Sequence, residues 1–403
     1  MSLDAAVEPI SRPKRRWLQF SLRTLLLLTL FAGFFFAWIG NILVHVHHQR
    51  KVVAHLKSLG GKVYYDYQLS GRTIDATRPP GPSVVRFFVG DDAFAHVKYV
   101  SLDYQSKPTD TDLVLLSHLP RLKDVGLYGP GITDKGMEHV AQVRMLRSLS
   151  LMETGVTADG LARLHSAVGL VSLVLYGSAV TDDSLRHLST LPNLQHLLLV
   201  RTAVTSDGLE HLARLNGLIR LDLLDDAQIG DDGLRHLARL SNLEVLQLVK
   251  TSISDEGLVH LHGLTRLKAL VLTATSVSDS AIEHVARLSK LTHLRLDGTK
   301  VGDRGLARLP DLTGLESLSL SQTAVSDKGM VHLAKMDKLR SLEIHGTKVT
   351  DDGFLRLVGL SNLESVSVGP DVTKSAATNF KAALPRCRVT CYDRSGVQVL
   401  DLP

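Results

Sequence analysis

The stretch Thr251–Leu261 reads TSISDEGLVHL, and near copies of it return along the chain: TAVTSDGLEHL over Thr202–Leu212, TAVSDKGMVHL over Thr323–Leu333 and GTKVTDDGFLRL over Gly346–Leu357. Aligned on this motif, units begin at Thr109, Thr133, Thr157, Thr181, Thr205, Gly230, Ser254, Ser278, Gly302, Ser326 and Thr350, a period of 24 residues with one extra residue in the unit from Thr205. Each unit also carries L-x-x-L-x-L, as in Leu243-x-x-Leu246-x-Leu248 and Leu291-x-x-Leu294-x-Leu296; Val97-x-x-Val100-x-Leu102 reads as a degenerate twelfth copy in front. A fixed period of this length is the signature of a solenoid, in which each unit can bury its apolar face only against its neighbours.

Physical roles follow position by position. Leu-x-Leu alternation puts two side chains on the inner face of a short strand, and stacked units join these strands into a parallel sheet. Thr154, Thr202, Thr251, Thr275, Thr299, Thr323 and Thr347 come next; a buried hydroxyl there is expected to bond the backbone of the adjoining turn. After an apolar plug (Val180, Val204, Ile253, Val277), Thr or Ser is a helix N-cap, and the Asp beside it suits the positive end of the helix dipole. Gly136, Gly208, Gly257 and Gly329 hold a position where only small residues occur, Ser184 and Ala281 among them, as close packing between helices requires. Leucines at i, i+3 and i+6, such as Leu209, Leu212 and Leu215, dock the helix on the sheet, each contributing roughly 1.5–3 kcal/mol when covered.

The fold expected is α/β: a curved solenoid with the parallel sheet on its concave side, helices on its convex side and an N-terminal transmembrane helix. Twelve strands at their usual spacing give an inner surface about 55 Å long. The organisation expected is a basic cytoplasmic N-terminus over 1–23, a transmembrane helix over 24–44, a juxtamembrane segment and N-terminal cap over 45–108, the array over 109–372 and a C-terminal cap and tail over 373–403.

Thr24–Val44, TLLLLTLFAGFFFAWIGNILV, has no charged residue and as a helix is about 31 Å long, which matches the hydrocarbon layer. Trp17 and Trp38 are placed for its two interfaces and Arg23 for the inner headgroups. Its length and the lack of an A-x-A site favour an uncleaved single span over a signal peptide. Arg12, Lys14, Arg15, Arg16 and Arg23 precede the span, against Arg50, Lys51, Lys57 and Lys62 after it. That bias points to a cytoplasmic N-terminus and an array outside the cytoplasm, anchored in the cytoplasmic membrane. His45, His47 and His48 read as polar flanks rather than as metal ligands.

The chain has 403 residues, a net charge of +5 and two cysteines. Five basic and two acidic residues in the first 23 supply +3 of that charge, and the rest is too balanced for a nucleic-acid footprint. Cys387 and Cys391 make neither a disulfide framework nor a four-ligand zinc site; alternating with Val389, both are expected to face the core of one capping strand. His139, His187, His211, His236, His260, His284 and His332 share one slot of the unit, where Arg163, Arg308 and Arg356 also occur. On stacked helices they are spaced too widely to share a metal ion. Asp222, Asp225, Asp226, Asp231 and Asp232 crowd the one insertion and read as cap acids and a solvated bulge more readily than as a cation site. No Gly-rich phosphate loop, HExxH or G-x-S-x-G occurs, so no catalytic residue, cofactor or metal is assigned.

The unit [TS]-D-x-G-L-x-H-L-x-x-L-x-x-L-x-x-L-x-L-x-x-T-x-[VI], over roughly 94–372, resembles the ribonuclease-inhibitor-like group of leucine-rich repeat proteins, and in particular the repeats of F-box ubiquitin-ligase substrate-binding subunits. RRWLQFSLRTLLLLTLF (Arg15–Phe31), with LGGKVYYDYQ and FFVGDDAFAHV after it, looks like bacterial membrane-anchored leucine-rich repeat proteins. What the resemblance implies is a surface-displayed recognition module. A protein or cell-envelope partner is expected on the concave face, at the outward strand positions Tyr128, Val174, Tyr176, Leu198, Val200, Leu224, Val249 and Val271, with the bilayer as second partner through Thr24–Val44. A structural role, with the array self-associating, is the alternative.

Overall fold

A computed structural model describes residues 22–69, 80, 81, 83, 86, 87, 90, 94–177 and 179–402, without the side chains of residues 38, 39, 41, 42 and 45. Most of the basic N-terminus, Trp17, the side chain of Trp38 and most of the proline-rich loop after Arg78 therefore lie outside the described residues. The chain forms two compact units, Met1–Lys51 with Pro79–Phe94, and Val52–Arg78 with Ala95–Pro403.

The second unit is one fifteen-stranded sheet whose strands follow chain order. β1 (Lys62–Tyr65) pairs antiparallel with β2 (Val97–Leu102). From there the strands run parallel: β3 (Asp124–Tyr128), β4 (Ser148–Met152), β5 (Ser172–Tyr176), β6 (His196–Val200), β7 (Arg220–Leu224), β8 (Val245–Val249), β9 (Ala269–Val271), β10 (His293–Arg295), β11 (Ser317–Ser319), β12 (Ser341–Ile344), β13 (Ser365–Val368) and β14 (Arg388–Tyr392). β15 (Gln398–Leu402) returns antiparallel on β14, within the stretch where the sequence predicts a cap and tail. The leucines of the motif are buried in one continuous core that runs from Val52 to Cys391. Cys387, Val389 and Cys391 face it as expected, and both thiols are free. Burial pushes the Cys387 thiol up to about 11. Phe380, on the helix Lys374–Ala383, stacks on Phe354 at 4.2 Å and fills the last layer.

The aspartate of the motif does more than complement a helix dipole. Asp110 accepts from Thr133 N (2.7 Å) and Thr133 Oγ1 (2.6 Å), so one carboxylate grips both the backbone and the hydroxyl of the next unit's cap. The same pair of bonds joins Asp134 to Thr157, Asp182 to Thr205, Asp231 to Ser254, Asp255 to Ser278, Asp303 to Ser326, Asp327 to Thr350 and Asp351 to Thr373. The glycine is the other half of this clamp. A Cβ at Gly136, Gly160, Gly208, Gly257 or Gly353 would collide with the carboxylate of Asp110, Asp134, Asp182, Asp231 or Asp327 respectively.

Exceptions to the motif obey the same logic. Ala158 stands where an aspartate is due, and in the following unit Ser184 replaces glycine; its hydroxyl then accepts from Thr181 N at 3.1 Å. The unit from Thr109 is clamped from within, Asp112 at its glycine position accepting from Thr109 N and Oγ1. Ser206, again in place of aspartate, accepts from Gly230 N at 2.9 Å. Ala281 shows that one methyl is tolerated at the glycine position.

The threonine ladder also differs from expectation. Thr275, Thr299, Thr323 and Thr347 donate to Leu272 O, Leu296 O, Leu320 O and Ile344 O, three residues back in their own unit, at 2.6–2.7 Å. The residue before the threonine is left-handed in most units, with φ of 50–58° at Glu153, Arg201, Lys250, Ala274 and Gln322. That reversal turns the threonine back under its own strand end.

The N-terminal helix α1 (Leu22–Ser58) is a single helix of 37 residues. It does not end at Val44 as expected, because no Gly or Pro follows until Gly60, which is left-handed (φ 85°). Its last turns bring the buried Val52, Val53 and Leu56 to the core, and His55 Nε2 lies 3.2 Å from Asp112 Oδ1. Within the expected span, Phe31, Phe34 and Phe36 are at least 70% exposed. Among the described residues no helix is long and apolar enough to cross a membrane.

The clamp makes a double-substitution prediction. Asp182→Ala removes both acceptors from Thr205 and should cost about 1–3 kcal/mol; Gly208→Ser alone should also destabilise, by crowding Asp182. Combined, the two should recover most of the loss, since they recreate the Ala158–Ser184 arrangement. Urea unfolding of a fragment from residue 49 checks this, and additive losses would contradict it.

Candidate binding face

Strand alternation turns every second side chain away from the helices, and the parallel register aligns these side chains in rows. One row runs Tyr128, Met152, Tyr176, Val200, Leu224 and Val249 across β3 to β8. All six are half-buried, each shielded in part by its neighbours. At the usual strand spacing the row is about 24 Å long. Met152 was missed by sequence reading, although the same 24-residue offset places it between Tyr128 and Tyr176.

The other expected residues occupy the adjacent row, which is less continuous. Val174 and Leu198 are neighbours, but Asp222 and Gln247 separate them from Val271. The apolar surface is therefore one unbroken row with a short second row beside it at β5 and β6. Along its outer border Arg201 Nε bonds Asp225 at 3.2 Å, Lys250 Nζ lies 3.0 Å from the same carboxylate, and Arg201 Nη1 donates to Tyr176 OH at 2.9 Å. These cations, Lys250 foremost, hold the Asp225 carboxyl below its ordinary range. At the N-terminal end Tyr128 joins Tyr104, Pro108 and Pro130 around a cavity of about 320 Å3.

From β10 onward the face is polar and internally bonded. Asp297, Ser319 and Ser321 are buried there. Asp297 accepts from Ser321 N (3.1 Å), Arg295 Nε (3.1 Å) and Ser319 Oγ. Ser319 Oγ also lies 3.0 Å from Glu343, and Ser321 Oγ 2.9 Å from His345 Nδ1. Side chains tied to one another in this way offer fewer free groups than the apolar row does.

The acidic cluster is dispersed into separate contacts. Asp222 accepts from Arg220 Nε (2.7 Å), Asp225 is held by Arg201 and Lys250, Asp226 accepts from Thr202 N (2.6 Å) and Oγ1 (2.9 Å), and Asp231 clamps Ser254. Asp226 is thus neither a cap acid nor solvated: it occupies the ladder position and is 1% exposed. The slot histidines are half-buried on the helix side. His262, outside the slot, brings its ring 5.5 Å from that of His284. Among the described residues no three metal-ligating side chains converge.

With this geometry in view, the comparisons are specific about fold. A leucine-rich repeat family model matches residues 287–309. An internalin (inlF) from Listeria monocytogenes superposes with a TM-score of 0.55 at 21% identity, covering 72% of this chain and 86% of that one. An internalin C2 from the same organism covers 58% of this chain and 83% of that one at 25% identity, with a TM-score of 0.36. A comparison with the curated proteins returns no match. The chain folds as a leucine-rich repeat solenoid like that of the first internalin.

Burial raises the Asp226 carboxyl against the lowering effect of the Thr202 bonds. A folded value above the unfolded one means that stability falls as pH rises from the ordinary value, about 3.9, through the raised one. Asp226→Asn keeps the acceptor for Thr202 and should raise the melting temperature at pH 7. The gain should shrink as the pH falls through the raised value toward about 4, because the folded-state carboxyl is then protonated and no longer buries a charge; thermal melts across that range read it.

Proposed function

We propose that this chain is a non-enzymatic recognition protein that holds a protein partner on the open face of its sheet. The observation that carries the reading is the unbroken apolar row Tyr128–Met152–Tyr176–Val200–Leu224–Val249, bordered by charge and ending at a tyrosine- and proline-lined cavity. Apolar patches rimmed by polar groups are typical of partner sites, and an aromatic-lined pocket suits an anchoring side chain. The solenoid fold supports this reading, since stacked units present an extended surface whose outward residues are free of packing duties.

In this reading the row, with Val174, Leu198 and Val271, contacts the partner. The exposed leucines and phenylalanines of α1 tether the chain to the cytoplasmic membrane as a single span, the array lying outside the cytoplasm. One observation favours self-association as a second reading: β15 is an edge strand with Val399 61% exposed, and edge strands are templates for pairing with another chain.

Val200→Glu with Leu224→Glu should abolish partner capture while leaving thermal melting within about 1 kcal/mol, because neither side chain is in the core. Photocrosslinking from position 200 in intact cells identifies the captured partner; an unchanged crosslink pattern with the Leu224→Glu variant would contradict the assignment. Sedimentation of the fragment from residue 49 separates the second reading, which requires concentration-dependent oligomers. For the tether, deleting residues 22–44 should move the chain from the carbonate-resistant membrane pellet to the supernatant.

A further inference from the structure

The unit from Thr205 departs from the others in several ways at once. It has Ser206 for the clamp aspartate, and it carries the one insertion. Its helix, Asp207–Arg214, is 3-10 along its whole eight residues, whereas the helices on either side, Asp182–Leu188 and Asp231–Leu237, are α-helical. A 3-10 helix is wound more tightly than an α-helix, so this unit forms the floor of a trough between two broader walls. The cavity over it has a volume of about 600 Å3.

The lining of the trough is predominantly basic. Arg186 stands on one wall, Arg235 and Arg239 on the other, and Arg214 and His211 on the floor, with Glu210 as the single carboxylate. Arg186 pairs with Asp183 and Arg235 with Asp232, both acids being in the first turn of the same helix and outside the lining. Among the described residues Arg214 and Arg239 have no ion-pair partner. Guanidinium groups present forked donors that match the oxygens of phosphate. Several around one trough suit a ligand bearing more than one phosphate.

We infer that this trough, on the helix side of the sheet and independent of the open face, binds a phosphate-bearing polyanion. The probe is tripolyphosphate, titrated calorimetrically into the full chain in neutral detergent micelles. It should bind saturably, more weakly as salt rises, and Arg214→Glu with Arg239→Glu should weaken it by about tenfold or more. Both side chains are exposed, so matched melting curves establish that the variant folds. The Val200→Glu, Leu224→Glu variant should bind tripolyphosphate like the parent, which separates this site from the open face. Phosphatidylglycerol doped into the micelles forms a second arm: saturation there alone makes a lipid headgroup the source, and saturation with tripolyphosphate a free or polymeric phosphate. Binding to neither, equal binding of a polyglutamate, or full binding by the arginine variant would overturn the inference.

Discussion

A carboxylate that reaches across a unit boundary holds this array together. Leucine burial is non-directional and supplies the driving force, but it does not fix how one layer sits on the next. The aspartate clamp does, because two bonds to a backbone N–H and a hydroxyl define position and orientation together. A buried donor left without such a partner would cost about 1–3 kcal/mol, so each clamped unit depends on the one before it, and the units from Thr109 and Thr181 supply the acceptor themselves. The glycine follows from the clamp: it leaves the volume that the incoming carboxylate occupies. The motif is therefore a single device spread over two units, and T/S, D and G are its three parts.

Much of the fold was legible because the hydrophobic pattern is so regular. Leu246 and Leu248 repeat at fixed offsets, so strand, facing and register followed from counting. Cys387 and Cys391 were placed correctly by alternation alone. The functions of the polar positions were harder to read. A linear motif does not say whether Asp182 serves its own helix or the next one, since both roles place the residue at the same position. Thr275 had the same ambiguity, and its left-handed neighbour Ala274, which turns it toward Leu272 O, has no compositional signal. β15 was invisible because Gln398–Leu402 belongs to no unit and pairs only by return.

The candidate face was legible in outline. Period two put Tyr176 and Val200 on the open side, and the structure orders them into a row that takes in Met152. What sequence reading ran together was two rows, one continuous and one broken by Asp222. The polar half behaves differently: Asp297 is buried there as the hub of a bonded network. Whether an outward residue is available depends on its neighbours across the strands, which periodicity does not report.

The exchange of Ala158 and Ser184 has a consequence for how such a chain can change in length. Most boundaries are interchangeable, since any unit carrying a clamp aspartate can precede any unit holding the glycine. A duplication or loss of a whole 24-residue block at those boundaries leaves every joint matched. A recombination point falling between Ala158 and Ser184 would instead mate alanine with glycine, or aspartate with serine, and leave one joint empty or overfull. These two units are therefore expected to be inherited as a pair while the array around them grows and shrinks.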